Sequence, residues 1–281
     1  MSKPRVIEHI HEIRQAVADV RASGKTIGFV PTMGFLHKGH LSLVRKSVTD
    51  NDITVVSIYV NPAQFAPGED LSNYPRDLSN DLRLLAEEGI DYLFIPNNTE
   101  MYPDGFNSSV SVGNITERLC GESRPDHFRG VTTIVLKLLN IVQPENLYLG
   151  EKDFQQYLVI NTMVTDFNLP VEVVSCPLVR ESDGLAMSSR NKYLSADERK
   201  RALSLYQALK IVKSAFGQGE TNPEVLRLLA RQHILTFRGE PDYIEIADED
   251  KLQPVQTVTS GNRLFLAVRF GNTRLIDNIR L

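Results

Sequence analysis

His37 and His40 stand one helical turn apart in a 281-residue chain that holds six histidines, with Gly39 between them and the punctuated run PTMGFL just before. Imidazoles at that spacing, where a turn enters a helix, suit a polyanion. Helix-start amides are free to hold phosphate, and a glycine lets ligand or backbone come close. The plain alternative is a tight turn with two solvent-facing histidines. Two of six histidines in a single turn favour the chemical reading.

Further groups that could work on phosphate lie at other turns. Glu151, Lys152 and Asp153 follow the apolar run NLYLG and open the helix EKDFQQYLVINTMV. A lysine there reaches a phosphate, while an aspartate in a first helical turn is favoured by the free amides in any case. Gln156 is one turn on, where a surface amide is the ordinary reading. Gln64 lies on the polar segment Asn61–Pro75 and offers a donor and an acceptor, which fits a polar or carboxylate substrate better than a metal. Arg124, His127 and Arg129 cluster before an apolar helix, and spacing does not decide which of them would clamp a phosphate. Lys137 reads as snorkelling from that helix. Met187, Ser188, Ser189 and Arg190 form a hydroxyl-and-guanidinium loop suited to polyphosphate, although such loops are common.

The chain has no GxxxxGK[ST], no GxGxxG at its first turn and no GxSxG, so a P-loop kinase, a dinucleotide oxidoreductase and a serine hydrolase lack support. Nucleotidyl transfer remains, with an oxygen nucleophile attacking an α-phosphate. A carboxylate nucleophile is already ionised near neutral pH, so the protein need supply only positioning and donors where charge accumulates.

The elements that must position these groups read as alternating strands and helices. Ile27–Val30 and Ile53–Val60 are buried strands, and Leu41, Val44 and Val48 mark the helix after the histidine turn. Residues 5–22 read as a helix, as do Arg76–Glu88 on Leu78, Leu82 and Leu85, and the run VTTIVLKLLNIV. IDYLFIP, NLYLG and VEVVSCPLVR read as strands, with a short one at Val110 and Val112. From Ser195, with Glu198 as its capping-box partner, one amphipathic helix runs to Phe216. A second spans 223–237, and alternating antiparallel strands follow. The expected fold is α/β, a Rossmann-like parallel sheet with helices on both faces (1–177), plus a smaller C-terminal α+β lid domain (178–281).

Lys plus Arg is 31 against 35 for Asp plus Glu, a formal net charge of -4, which offers no bulk attraction for nucleic acid or anionic membrane. Cys120 and Cys176 are too few and too far apart for a thiolate zinc site or a disulfide framework, so a reducing compartment is expected. With no signal-peptide pattern and no run of 18 apolar residues, the expectation is a soluble, cytoplasmic protein.

The segments PTMGFLHKGH, VNPAQF, EDLSNYPRD, RPDHF, YLGEKDFQQ, VRESDGLAMSSRNKYLS and RLIDN, in this order from Pro31 to Asn278, resemble the pantoate:β-alanine ligases. The wider resemblance is to nucleotidylyltransferases, whose His-x-Gly-His matches His37–His40. It implies an AMP-forming ligase in coenzyme A precursor synthesis, with ATP and (R)-pantoate giving pantoyl-adenylate and β-alanine then attacking it. Carried over, His37, His40 and Lys152 are catalytic. Pro31, Thr32, Met33, Gly34, Phe35, Leu36, His37, His40, Gly150, Glu151, Lys152 and Asp153 line ATP, with Val179 and Met187 at adenine and Ser188, Ser189 and Arg190 at the polyphosphate. Gln64 and Gln156 hold pantoate, and Gln64 also lies near β-alanine. Mg²⁺ bound through the phosphates and a homodimer are implied as well. Glu151 and Asp126 depart from the family pattern, and the expectation is altered loop electrostatics with function intact, whereas either one facing the phosphates would instead slow the first half-reaction by repulsion.

Overall fold

Parallel strands whose side chains are buried on both faces organise the N-terminal half of the computed structural model, which describes residues 3–281. The elements are β1 (Arg5–Ile7), α1 (Ile10–Ala22), β2 (Ile27–Thr32), α2 (Lys38–Asp50), β3 (Ile53–Ile58), α3 (Leu78–Glu88), β4 (Tyr92–Phe94), α4 (Asn98–Met101), α5 (Cys120–Ser123), α6 (His127–Val142), β5 (Asn146–Gly150), α7 (Phe154–Asp166) and β6 (Glu172–Cys176). The strands form one sheet in the order β1-β4-β3-β2-β5-β6, each neighbour parallel to the next. Alternate residues feed two cores. Phe29, Val55 and Leu147 pack with Ile13 of α1, Leu138 of α6 and Ile160 of α7. Val30, Val56 and Tyr148 pack with Val44 of α2 and Leu85 of α3. The strand order reverses between β2 and β5, so the loops leaving their carboxyl ends open a crevice at that switch point.

The chain divides into two compact units, residues 1–116 with 124–177, and residues 117–123 with 178–281. The second holds α8 (Ala196–Ala202), α9 (Ser204–Gly217), α10 (Pro223–Thr236), β7 (Glu240–Ala247), β8 (Arg263–Phe270) and β9 (Thr273–Arg280). Its three strands form an antiparallel sheet in sequence order, and central β8 packs Leu264, Leu266 and Val268 with Leu209 of α9 and Ile234 of α10. The Asp277 carboxylate is buried there and takes two bonds from the Arg180 guanidinium at 2.6 and 2.9 Å. Helix α5 belongs to this unit although it lies within the span expected for the first. The Ser123 hydroxyl donates to Asp242 at 2.9 Å and the Cys120 sulfur lies 3.1 Å from the Tyr243 hydroxyl. Among the described residues no helix is long and apolar enough to cross a membrane.

Several local expectations change. Residues 5–22 are not one helix, because Arg5–Ile7 pairs with β4 as an edge strand and His9 is extended before α1 begins. Val110 and Val112 form no strand, since Thr132 and Thr133 side chains take the backbone groups of Val110. The expected 195–216 helix breaks at Leu203 into α8 and α9, with the Ser195–Glu198 capping box in place. Val48 is exposed while Ser47 is buried, so α2 presents a hydroxyl to Thr54 of β3. On α3, Leu78 is exposed and Asp81 shares the buried face with Leu85.

Helix α6 sits directly against the 3-10 turn Pro62–Gln64, and Gly130 makes this approach possible. A Cβ there would lie 2.1 Å from the Ala63 carbonyl oxygen and 2.7 Å from the Gln64 Cα. Both are backbone atoms and cannot swing aside. Gly130→Ala should therefore cost about 1–3 kcal/mol and shift the turn that carries Gln64. An unchanged urea midpoint would show that α6 can back away from the turn freely.

Candidate functional site

The site begins where β2 ends. The buried Thr32 hydroxyl donates to the Ser57 carbonyl at 2.8 Å and accepts the Gly34 amide at 3.1 Å. Gly34 (φ 79°) and Phe35 (φ 51°) then turn the chain through left-handed backbone, which costs Phe35 conformational energy. Asp81 of α3 holds that turn, its carboxylate accepting the Phe35 and Leu36 amides at 2.8 and 2.7 Å. Burial raises the Asp81 pKa, and the two amide bonds oppose the shift. Leu36 is buried beneath, and Pro31 and Met33 are half-buried.

Histidine chemistry follows from how α2 is capped. His37 is the N-cap in extended conformation, and its Nδ1 accepts the Gly39 amide at 3.1 Å. His40 Nδ1 accepts the His37 amide at 3.3 Å in return. An Nδ1 that accepts carries no proton, so in the neutral form each ring bears its hydrogen on Nε2. The rings stack with centroids 4.0 Å apart and planes 24° from parallel. Burial holds His40 well below the ordinary 6.5, helped by the adjoining His37 ring and the Lys152 ammonium.

That electrostatic contact joins the first turn to the second, across the switch point. Gly150 ends β5, and Glu151–Asp153 forms a 3-10 turn before α7. Lys152 Nζ lies 3.4 Å from both carboxylate oxygens of Asp153, a long and therefore weak pairing. Glu151 accepts the Ser175 hydroxyl at 3.2 Å. Asp126, the other departure from the family pattern, is exposed and pairs with Arg129 at 3.1 Å.

Gln64 is held through both its side chain and its main-chain carbonyl. Asn61, 1% exposed, donates to Gln64 Oε1 at 3.2 Å and to the Gly130 carbonyl at 3.1 Å, while accepting the Tyr102 hydroxyl at 2.8 Å. Gln64 Nε2 lies 3.0 Å from the Met33 sulfur. The Gln64 main-chain carbonyl takes Arg124 at 3.2 Å and His127 Nδ1 at 2.9 Å, and Arg124 also grips Glu69 at 2.6 and 2.7 Å. The arginine-histidine cluster thus divides. Arg124 and His127 fix Gln64, and Arg129 sits in solvent. Gln156 is half-buried in the first turn of α7, beside a buried Gln155 that donates to the Ile115 carbonyl at 2.8 Å.

In the second unit, the Met187 amide donates to the Val179 carbonyl at 3.0 Å, and Arg180 bridges Ala186. Ser188 then caps the 3-10 turn Ser189–Tyr193, its hydroxyl accepting the Arg190 amide at 3.3 Å. Ser189 is buried, and Arg190 is half-buried. Residues 179–190 therefore form one folded-back segment.

Asp81 and Asn61 support this site although neither stood out by type or spacing. One signal for Asp81 existed, an acid four residues before Leu85 on the apolar face of α3.

Residues 5–280 match the family model described as pantoate-beta-alanine ligase. The chain is 54% identical over 275 residues to a pantothenate synthetase of Caldicellulosiruptor saccharolyticus, covering 98% of each protein. It is 52% identical over 276 residues to one from Sulfurihydrogenibium, covering 98% of the chain and 99% of the relative. Among solved structures, pantothenate synthetase from Thermus thermophilus superposes with a TM-score of 0.94 at 45% identity, covering 98% of this chain and 99% of that one. The pantoate-beta-alanine ligase of Francisella tularensis, solved with beta-gamma ATP and beta-alanine, gives 0.83 at 37% identity, with 99% and 97% covered.

The histidines carry a pH consequence. His127 falls to about 4, from burial first and the Arg124 guanidinium second, with the Gln64 carbonyl opposing. His40 shifts the same way. Between pH 6.5 and about 4 the folded chain holds fewer protons than the unfolded one, so this stability is full above 6.5 and drains as pH falls. From roughly pH 7 to 5, where ordinary carboxylates stay ionised, the urea midpoint should drop, and His127→Asn should flatten the slope. A level midpoint in the native chain would contradict the burial of these rings.

Proposed function

The chain belongs to the pantoate-beta-alanine ligase family, and on that footing we propose that it makes pantothenate in two half-reactions through a pantoyl-adenylate. As an ATP-dependent ligase it joins pantoate and β-alanine. In the first half-reaction the carboxylate of (R)-pantoate attacks the α-phosphorus and pyrophosphate departs. In the second the amine of β-alanine attacks the acyl carbon and AMP departs. The observation that carries this reading is the paired cap of α2, which leaves a proton on Nε2 of each imidazole beside Lys152.

Each group then has a task. The carboxylate nucleophile needs no base, so His37 and His40 serve as N–H donors to phosphate oxygens as charge builds on the leaving pyrophosphate. Held well below 6.5, His40 is neutral at pH 7 and donates without carrying a full charge. Lys152 supplies the full charge. Gln64, held from three sides, and Gln156 offer amides to the hydroxyls and carboxylate of pantoate, and amides do not pair permanently with the attacking oxygen. The nucleotide lies along Pro31–Leu36 and Gly150–Asp153 in this reading, with Val179, Met187, Ser188, Ser189 and Arg190 as its adenine and polyphosphate contacts.

Mg²⁺ enters as the counter-ion of the triphosphate. Among the described residues no three His, Cys, Asp or Glu gather into a cation cage. The chain therefore fits an ion held through phosphate oxygens, which when bound would neutralise charge on the leaving group. A cytoplasmic homodimer belongs to the same reading.

The test is isotope exchange between ATP and pyrophosphate. Exchange should require pantoate and proceed without β-alanine, and His37→Ala should slow it about 100- to 1000-fold. Losing the cap bond costs about 1 kcal/mol, too little to unfold the chain. Exchange driven by another acid, or near-native exchange in the variant, would reassign the substrate or the histidine.

A further inference from the structure

Building on the adenylate reading, we infer that His127 Nε2 is the hydrogen-bond acceptor for the amine of β-alanine in the second half-reaction. The argument starts from a carbonyl. The Gln64 main-chain oxygen can only accept, so His127 Nδ1 at 2.9 Å must carry the ring proton. The lone pair of the neutral ring then sits on Nε2, which has no hydrogen-bond partner among the described residues. This is the reverse of His37 and His40, whose Nδ1 atoms accept. Phosphates and the pantoate carboxylate call for donors, which those histidines and Lys152 provide. A nucleophile that brings N–H calls for an acceptor, and the Nε2 lone pair of His127 is one.

The surroundings suit an amine. Gln64, Arg124, Glu69 and Asp153 act on His127, and Phe128 lies against its ring at 5.0 Å. Burial and the Arg124 guanidinium push His127 down to about 4 against the opposing Glu69 and Asp153 carboxylates, so its ring is neutral at pH 7. The amine attacks in its neutral form, with its lone pair free. That lone pair forms the bond to the acyl carbon and the carbon–oxygen bond to AMP breaks, the electron pair leaving with AMP. The proton shed by nitrogen passes to Nε2 and on to water.

His127→Asn is the discriminating change, because its amide nitrogen keeps a donor for the Gln64 carbonyl while the acceptor is lost. Three rates are compared with the native chain: pantoate-dependent ATP–pyrophosphate exchange without β-alanine, capture of preformed pantoyl-adenylate by β-alanine, and capture by hydroxylamine, an amine already neutral at neutral pH. Exchange should stay within about threefold, and capture by both amines should fall roughly 10- to 100-fold, because each must shed a proton to Nε2. A parallel fall in exchange would overturn the inference, since His127 would then only position Gln64. An unchanged β-alanine rate would overturn it as well. Should the asparagine variant fail to fold, His127→Gln, whose amide oxygen reaches toward the Nε2 position, should capture β-alanine within tenfold of native, and a greater loss sinks the assignment. A native chain without pantoate-dependent exchange would instead remove the adenylate reading, and this inference with it.

Discussion

Everything at the candidate site depends on how the first turn of α2 satisfies its free amides. A serine or aspartate would do this with an oxygen and leave no chemistry behind. Here two imidazoles do it, each spending Nδ1 on a backbone N–H, and each is thereby left with a donor on its far side. The cap and the candidate chemistry are the same pair of hydrogen bonds.

That cap is useful only because of what the sheet puts next to it. Reversal of strand order between β2 and β5 brings the Lys152 turn close enough to act on His40. Asp81 fixes the path from β2 into the cap, and α6 fixes the Gln64 turn through Gly130, Asn61, Arg124 and His127. Contacts to backbone hold His37, His40 and the Gln64 turn, so their direction is set before any ligand arrives.

The parts of this arrangement that were legible in the sequence are those written in local pattern. Apolar runs bounded by turn residues marked β2, β3 and β5, and the residues just after them marked the turns. A three-residue edge strand such as Arg5–Ile7 is too short to alternate, and Val6 and Ile10 also satisfy helical spacing, so the strand was absorbed into α1. The supports of the site were illegible for another reason. Asp81 bonds amides 45 and 46 residues away, and His127 bonds a carbonyl 63 residues away, so no window of sequence contains both partners. Spacing likewise says nothing about which ring nitrogen bears a proton.

Helix α5 has an implication for how the chain can be divided. The backbone leaves the first unit after Thr116, contributes seven residues to the second, and returns at Arg124 before leaving for good after Pro177. A fragment cut at Pro177 would keep those seven residues and lose Tyr243, Asp242 and Arg274, stranding a thiol and a hydroxyl that they engage. The complementary fragment would lack a piece of its own interior. Splitting this protein into halves for separate production therefore calls for grafting or replacing that insert, since no single cut yields two self-sufficient pieces.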